Sequence, residues 1–144
     1  MTKKPETVNR EDLNRRKDSL IYKKYARVPF TGVFESFHEN GQLWERGNYI
    51  DGELDGLFEF FHKNGQLDCR ENYKNGQREG LREVFYGSSF DRVNWKDGNL
   101  HGLCEAYSED GQLIEKVCFK NGLEVDMSHC GERPQADWSL WKGQ

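Results

Sequence analysis

The chain lacks any long apolar run, and its mean hydropathy is low, at −0.98. No stretch approaches the roughly 20 apolar residues of a membrane-spanning helix. The opening, "MTKKPETVNREDLNRRKDSL", has no apolar centre of the kind a secretory signal carries, so a cytoplasmic location is expected. Cysteine is scarce. Cys69, Cys104, Cys118 and Cys130 include no C-x-x-C pair, which argues against a zinc site. Without a signal segment they are expected to be reduced thiols. There is also no strong basic character: the net charge is −4, which does not fit a nucleic-acid footprint. The chain has no G-x-S-x-G and no phosphate-binding G-x-x-x-x-G-K-[ST].

What the chain does have is a repeat. "FHENGQLWERGNYIDGELDG" (37–56) is followed by "FHKNGQLDCRENYKNGQREG" (61–80). Gly32, Gly56, Gly80 and Gly102 open four segments at spacings of 24, 24 and 22 residues. Each segment holds a mid-turn, at Asn40-Gly41, Asn64-Gly65, Gly87-Ser88 and Asp110-Gly111. A second turn follows, at Asp51-Gly52, Asn75-Gly76, Asp97-Gly98 and Asn121-Gly122. Asn-Gly and Asp-Gly suit type I′ hairpin turns, in which both central residues need positive φ, and Gly-Ser suits type II′. The aromatic-rich runs between turns are about strand length and too short for helices. Each repeat therefore reads as one β-hairpin in an antiparallel meander.

Two-residue mid-turns set Glu35 opposite Arg46, Phe37 opposite Trp44, Glu59 opposite Arg70, Glu83 opposite Arg92, and Glu105 opposite Lys116. The third repeat is two residues shorter, which reads as one residue lost from each strand. If each second loop spans four residues, Arg46 also meets Glu59, Arg70 meets Glu83, and Arg92 meets Glu105. A single alternating ladder of exposed Glu and Arg/Lys results, each pair contributing ~0.2–1 kcal/mol and holding register. Neither face of such a sheet is cleanly polar, so exposed aromatics are expected on at least one side, where they mark an interaction surface.

The pattern G-x-x-E-x-[FY]-x-x-[ND]-G-Q-L…[YF]-x-[ND]-G resembles the MORN-variant repeat of bacterial proteins often labelled YwqK-type antitoxins. The lead-in "LIYKKYARVPFTG" (20–32) resembles that family's segment before its first full repeat. The resemblance covers about residues 20–125, and the third repeat departs from it by lacking the Asn-Gly-Gln-Leu turn. It implies an all-β fold, an open single-layer antiparallel β-meander of MORN-like hairpins. It also implies a protein-binding function, antitoxin-like or inhibitory, in a bacterium or phage, with a toxin or other effector as partner. The broader repeat family is linked to membranes and scaffolding, which gives the alternative of a peripheral lipid-binding or scaffolding protein.

Three regions follow: a basic arm (1–19), the repeats (20–125) and a tail (126–144). The first 30 residues carry nine Lys/Arg against four Asp/Glu, and the rest twelve against twenty-one. "TVNREDLNRRKD" (7–18) is expected as a short helix capped by Thr7 or Asn9. Trp138 and Trp141 sit three apart and suit a cap over the last edge strand. His38 and His62 are one repeat apart, nearly ~10 Å across two strand spacings, too far for one metal ion. The acidic residues recur once per repeat, unlike a catalytic pair confined to one pocket. The expectation is a non-enzymatic chain without cofactor or metal. Its candidate partner-binding residues are the aromatic anchors Trp44, Phe61, Phe85, Phe90 and Tyr107, oriented by Glu35, Glu59, Arg70 and Arg92. A basic partner surface would suit the acidic body. Nucleic acid and membrane are disfavoured as partners, and open sheet edges allow a homo-oligomer.

Overall fold

A computed structural model describes residues 5–131. Three strands, β1 (Thr7–Asn9), β2 (Leu13–Arg15) and β3 (Ile21–Lys23), precede the repeats. Repeat 1 is β4 (Gly32–Phe37), β5 (Leu43–Ile50) and the short β6 (Glu53–Leu54). Repeat 2 is β7 (Gly56–Phe61), β8 (Leu67–Lys74) and β9 (Gln77–Arg78). Repeat 3 is β10 (Gly80–Tyr86), β11 (Ser89–Lys96) and β12 (Asn99–Leu100). Repeat 4 is β13 (Gly102–Tyr107), β14 (Leu113–Lys120) and β15 (Leu123–Val125). The long strands join in the order β1-β4-β5-β7-β8-β10-β11-β13-β14-β15. The open all-β meander expected from the repeat is present, and among the described residues there is no α-helix.

The cross-strand register agrees with the sequence reading, but the turns reach it by another route. Glu35 pairs with Arg46, Glu59 with Arg70, Glu83 with Arg92 and Glu105 with Lys116. The first mid-turn is not two residues long. His38 N–H donates to Gln42 O, and Gly41 N–H donates to His38 O. Of the Asn40-Gly41 pair only the glycine has positive φ, at 86°. This is a three-residue loop, a type I turn closed by a left-handed glycine. The extra loop residue shifts the register by one, and a β-bulge between Ser36 and Phe37 shifts it back. Phe37 therefore faces Leu43, not Trp44. Repeats 2 and 4 do the same.

Repeat 3 keeps the true two-residue turn, with positive φ at Gly87 alone of its two residues and no register shift. Its two missing residues are thus one from the loop and one from the bulge, not one from each strand. The two shifts cancel, so the Glu–Arg pairing is unchanged. The second turns are the type I′ turns: Asp51 and Gly52 have φ of 48° and 83°, and the other three pairs are alike. They span two residues, not four. Two further residues are absorbed in β7 between Asp55, which donates to Asn48 O, and Glu59, which faces Arg46. Asn48 closes this irregularity by donating from its side chain to Leu57 O at 3.2 Å. Asn72 and Asn94 repeat the bond to Leu81 and Leu103.

The expected helix over 7–18 is replaced by β1, one 3-10 turn (Arg10–Asp12) and β2. β1 runs parallel to β4, with Thr7 at Val33 and Asn9 at Glu35. The segment has too few apolar side chains for a buried helical face, whereas the edge of β4 offers backbone partners. Its lead-in folds over one face of repeat 1, burying Ile21, Phe30, Phe34 and Phe58 to at most 8% exposure. The rings of Phe34 and Phe58 meet edge to face at 5.3 Å across Gly47. A Cβ at Gly47 would stand 2.4 Å from the Phe34 ring, so only glycine fits beneath the pair.

At the other end the repeat stops. Gly56, Gly80 and Gly102 open their strands with φ of 92°, 88° and 93°. The equivalent residue after the last turn is Asp126, with φ of −60°, and its side chain caps a 3-10 turn over Met127–His129. Cys118 occupies the place of Asn48, Asn72 and Asn94 and forms a disulfide with Cys130. The expectation of four reduced thiols is therefore corrected: among the described residues only Cys69 and Cys104 are free. Trp138 and Trp141, expected in a cap, lie outside the described residues.

Candidate functional site

Alternation along the strands places Glu35, Glu59, Glu83 and Glu105 on one face with Arg46, Arg70, Arg92 and Lys116. Arg46 Nη2 lies 3.0 Å from Glu35, Arg70 Nη2 lies 3.2 Å from Glu83, and Arg92 Nε lies 3.7 Å from the same Glu83. Arg46 is also in register with Glu59, and Arg92 with Glu105. The ladder is present, but it is not the exposed strip expected. Glu83, Arg92 and Glu105 are 5%, 4% and 8% exposed. Burial raises the Glu83 pKa more than Arg70 and Arg92 lower it, so its carboxyl titrates above the ordinary range.

Aromatic rings lie beside the ladder. Phe90 stacks on Tyr107 at 4.7 Å and meets Phe85 at 6.1 Å, while Tyr107 donates its hydroxyl to Glu105 at 2.6 Å. Together they line a groove of about 1540 Å³ that crosses repeats 2 to 4, floored by Glu59, Arg70 and Glu83. Its walls are Leu57, Phe61, Leu67, Phe85, Phe90, Tyr107 and Leu113. It is large for a small-molecule pocket and open, and its surface mixes apolar walls with fixed charge.

The structure brings six of the nine candidate residues into this groove: Phe61, Phe85, Phe90, Tyr107, Glu59 and Arg70. Trp44, Glu35 and Arg92 are not part of its lining. Trp44 is the bulge residue of its hairpin, about half exposed and stacked on His38 at 5.6 Å. Leu67, Leu113 and Glu83 line the groove and were not among the candidates. Their signal was present in the repeat, since Glu83 stands where Glu59 does and Leu67 where Leu113 does.

The opposite face carries a second cluster that sequence reasoning missed. Glu71, 4% exposed, receives Arg82 Nε at 2.7 Å, the Tyr73 hydroxyl at 2.6 Å and Arg78 Nη2 at 3.5 Å. Burial acts to raise its pKa, but the bonds from Tyr73 and Arg82 with the two guanidinium charges overcome it, and the carboxyl titrates below the ordinary range. Tyr73 is pushed up to about 12 and Cys69 to about 11, both chiefly by burial. Glu71 occupies the place of Gly47 and Val93, which is the sequence sign that this position is special. His38 and His62 each have a partner: His38 Nε2 lies 2.7 Å from Phe61 O of the next repeat, and His62 lies 3.6 Å from Asp68 of its own hairpin. Among the described residues no three His, Cys, Asp or Glu converge as a metal site.

No curated protein matches the chain. Three segments, residues 30–51, 54–75 and 100–121, match the family model described as MORN repeat variant; they fall on repeats 1, 2 and 4, and the shortened repeat 3 continues their sheet between them.

Proposed function

We propose that the protein is a non-enzymatic binding module that engages another protein through the groove on its ladder face. Repeats of this type are generally protein- or membrane-binding modules. The observation that carries the protein reading is the groove itself, whose aromatic walls converge over charges already held by one another. Rings such as Phe85, Phe90 and Tyr107 bury large area at small entropic cost, which makes them suitable anchors. The Glu59, Arg70 and Glu83 floor would orient a partner and reject one of the wrong charge pattern.

The membrane alternative draws less support. Several arginines of the basic arm are engaged within the fold: Arg10 pairs with Glu45, Arg15 donates to Ser19 O, and Arg16 covers the Tyr22 ring at 4.0 Å. Within the protein reading, the resemblance to antitoxin-type chains suggests an inhibitor that masks a toxin or effector in the cytoplasm.

Crosslinking with mass spectrometry in the native cell tests this. Crosslinks from Lys63, beside the groove, to one stoichiometric protein, lost in Phe90→Ala, are expected. Recovery of no such protein, or flotation of the full chain with vesicles, would overturn the reading.

A further inference from the structure

Among the described residues the array ends on an open strand edge. Every interior second strand has a following strand on its outer side: β5 has β7, β8 has β10 and β11 has β13. β14 has β15 only along Cys118–Lys120. Among the described residues nothing pairs with the outer edge of Leu113–Val117. The described residues do not supply the missing strand in the manner of the earlier repeats. Asp126 replaces the glycine that opens it, and the disulfide ties Cys130 to Cys118.

The geometry points to this edge as a site for strand addition by a segment of another protein, and the repeat states the chemistry of that segment. In each interior junction the incoming strand places a glutamate opposite the arginine and an apolar residue opposite its neighbour. The pairs are Glu59 at Arg46 with Phe60 at Glu45, Glu83 at Arg70 with Val84 at Cys69, and Glu105 at Arg92 with Ala106 at Asp91. The equivalent acceptors on β14 are Lys116 and Glu115, both exposed. Lys116 has no ion pair among the described residues. The fitting occupant is an extended strand, antiparallel to β14, carrying an acidic residue followed by an apolar one. Backbone bonds supply affinity and the acidic residue sets register.

A second copy of the chain fits less well. The front edge, β4, which has Glu35 in the matching place, is already covered by β1. A two-fold perpendicular to the sheet pairs residues of like facing. Registers centred on Glu115 or Lys116 therefore set glutamate against glutamate or lysine against lysine, which is unfavourable.

This inference concerns a different surface from the groove and stands or falls apart from it. The probe is a synthetic peptide carrying the β7 sequence, Gly56–Phe61, between neutral polar flanks, and a twin with its glutamate changed to lysine. Titration of the full chain is read by fluorescence anisotropy and amide hydrogen exchange. The expected result is binding that protects amides within 113–117, with the twin weaker by about two- to fivefold. Lys116→Gln should equalise the two peptides, and Lys116→Glu should reverse their order. Equal affinity for both peptides in the unaltered chain would overturn the inference. So would protection confined to the groove around Phe85 and Phe90, or amides of 113–117 that already exchange slowly in the free chain.

Discussion

Substituting Glu71→Gln should change how stability depends on pH as well as its value at neutrality. The wild-type carboxylate is held by Arg82, Tyr73 and Arg78, and its pKa lies below the ordinary value of 4.5. Sign follows from proton counting: in the window between the lowered folded pKa and the unfolded one, the unfolded chain binds more protons. Stability contributed by Glu71 is therefore fully present above about pH 5.5 and is lost as pH falls through the folded pKa. Glutamine cannot titrate, so the variant lacks this acid limb. At pH 7 the loss of one partner from a buried ion pair would cost ~3–5 kcal/mol. Arg82 is 32% exposed and Arg78 41%, so water rescues part of that, and about 2 kcal/mol is expected. Urea unfolding from pH 3 to 7 should show two curves that differ most at neutrality and converge toward acid. Glu83 has the opposite sign. Its pKa is raised, so its contribution falls as pH rises through the interval above 4.5. Glu83→Gln should therefore gain stability with pH more steeply than the wild type between about pH 4 and 6. Curves for Glu71→Gln that run parallel to the wild type over the whole range would refute the cluster as an ionised, mutually satisfied unit.

Other substitutions separate the causes built into the fold. Gly47→Ala should cost about 1–3 kcal/mol by overpacking, since its Cβ meets the Phe34 and Phe58 rings; thermal unfolding reads this, and Phe34→Leu in the same chain should recover part of it. Gly56→Ala, with open space around it but φ of 92°, should cost about 1 kcal/mol through the backbone alone and gain nothing from Phe34→Leu. Cys118→Ser should speed hydrogen exchange across residues 123–131 while leaving repeats 1 to 3 unchanged, because the disulfide closes only a local loop. Removing residues 1–12 should bare β4 and produce concentration-dependent association, seen by light scattering, as Glu35 of one copy becomes available to Lys116 of the next; a strictly monomeric product would argue that β1 has no guarding role.

The repeat made the meander, its register and most of the groove legible. Hairpin pairing depends on the parity of the residues between paired positions, and that parity survives two different turn geometries. Asn40-Gly41 and Asp51-Gly52 look alike in sequence, yet only the second forms a type I′ turn. The difference lies in the Gln that follows Gly41: its N–H is taken by the Asn40 side chain at 3.0 Å, in a loop one residue longer. Such competition between side-chain and backbone bonding is local, and composition does not distinguish it. The burial of Glu83 and Arg92 was hidden for another reason. Exposure of a ladder residue depends on its neighbours in the adjoining strands, and Glu83 lies between Arg70 and Arg92 of two different strands, a property of three strands together. Residues 7–18 depart from the expected helix because the edge of β4, not the segment's own periodicity, decides the conformation of β1.

The two ends of the array show what a repeat cannot specify about itself. Each interior strand is recognised on both sides by copies of the same pattern, so the first and last strands offer the same bonding that holds the middle together. At the front the chain answers with a strand of reversed sense: β1 is parallel to β4, where every later neighbour is antiparallel. It consumes the edge without imitating a repeat, and so does not propagate one. At the back the answer is a change of two residues within the pattern. Asp126 in place of glycine removes the left-handed backbone that launches the next hairpin, and Cys118 in place of asparagine exchanges a hydrogen bond to a following strand for a covalent tie to Cys130. Neither change covers Leu113–Val117. Among the described residues the array is therefore closed at β4, and under the strand-addition proposal it is receptive at β14, where Lys116 continues a charge alternation that no described residue completes.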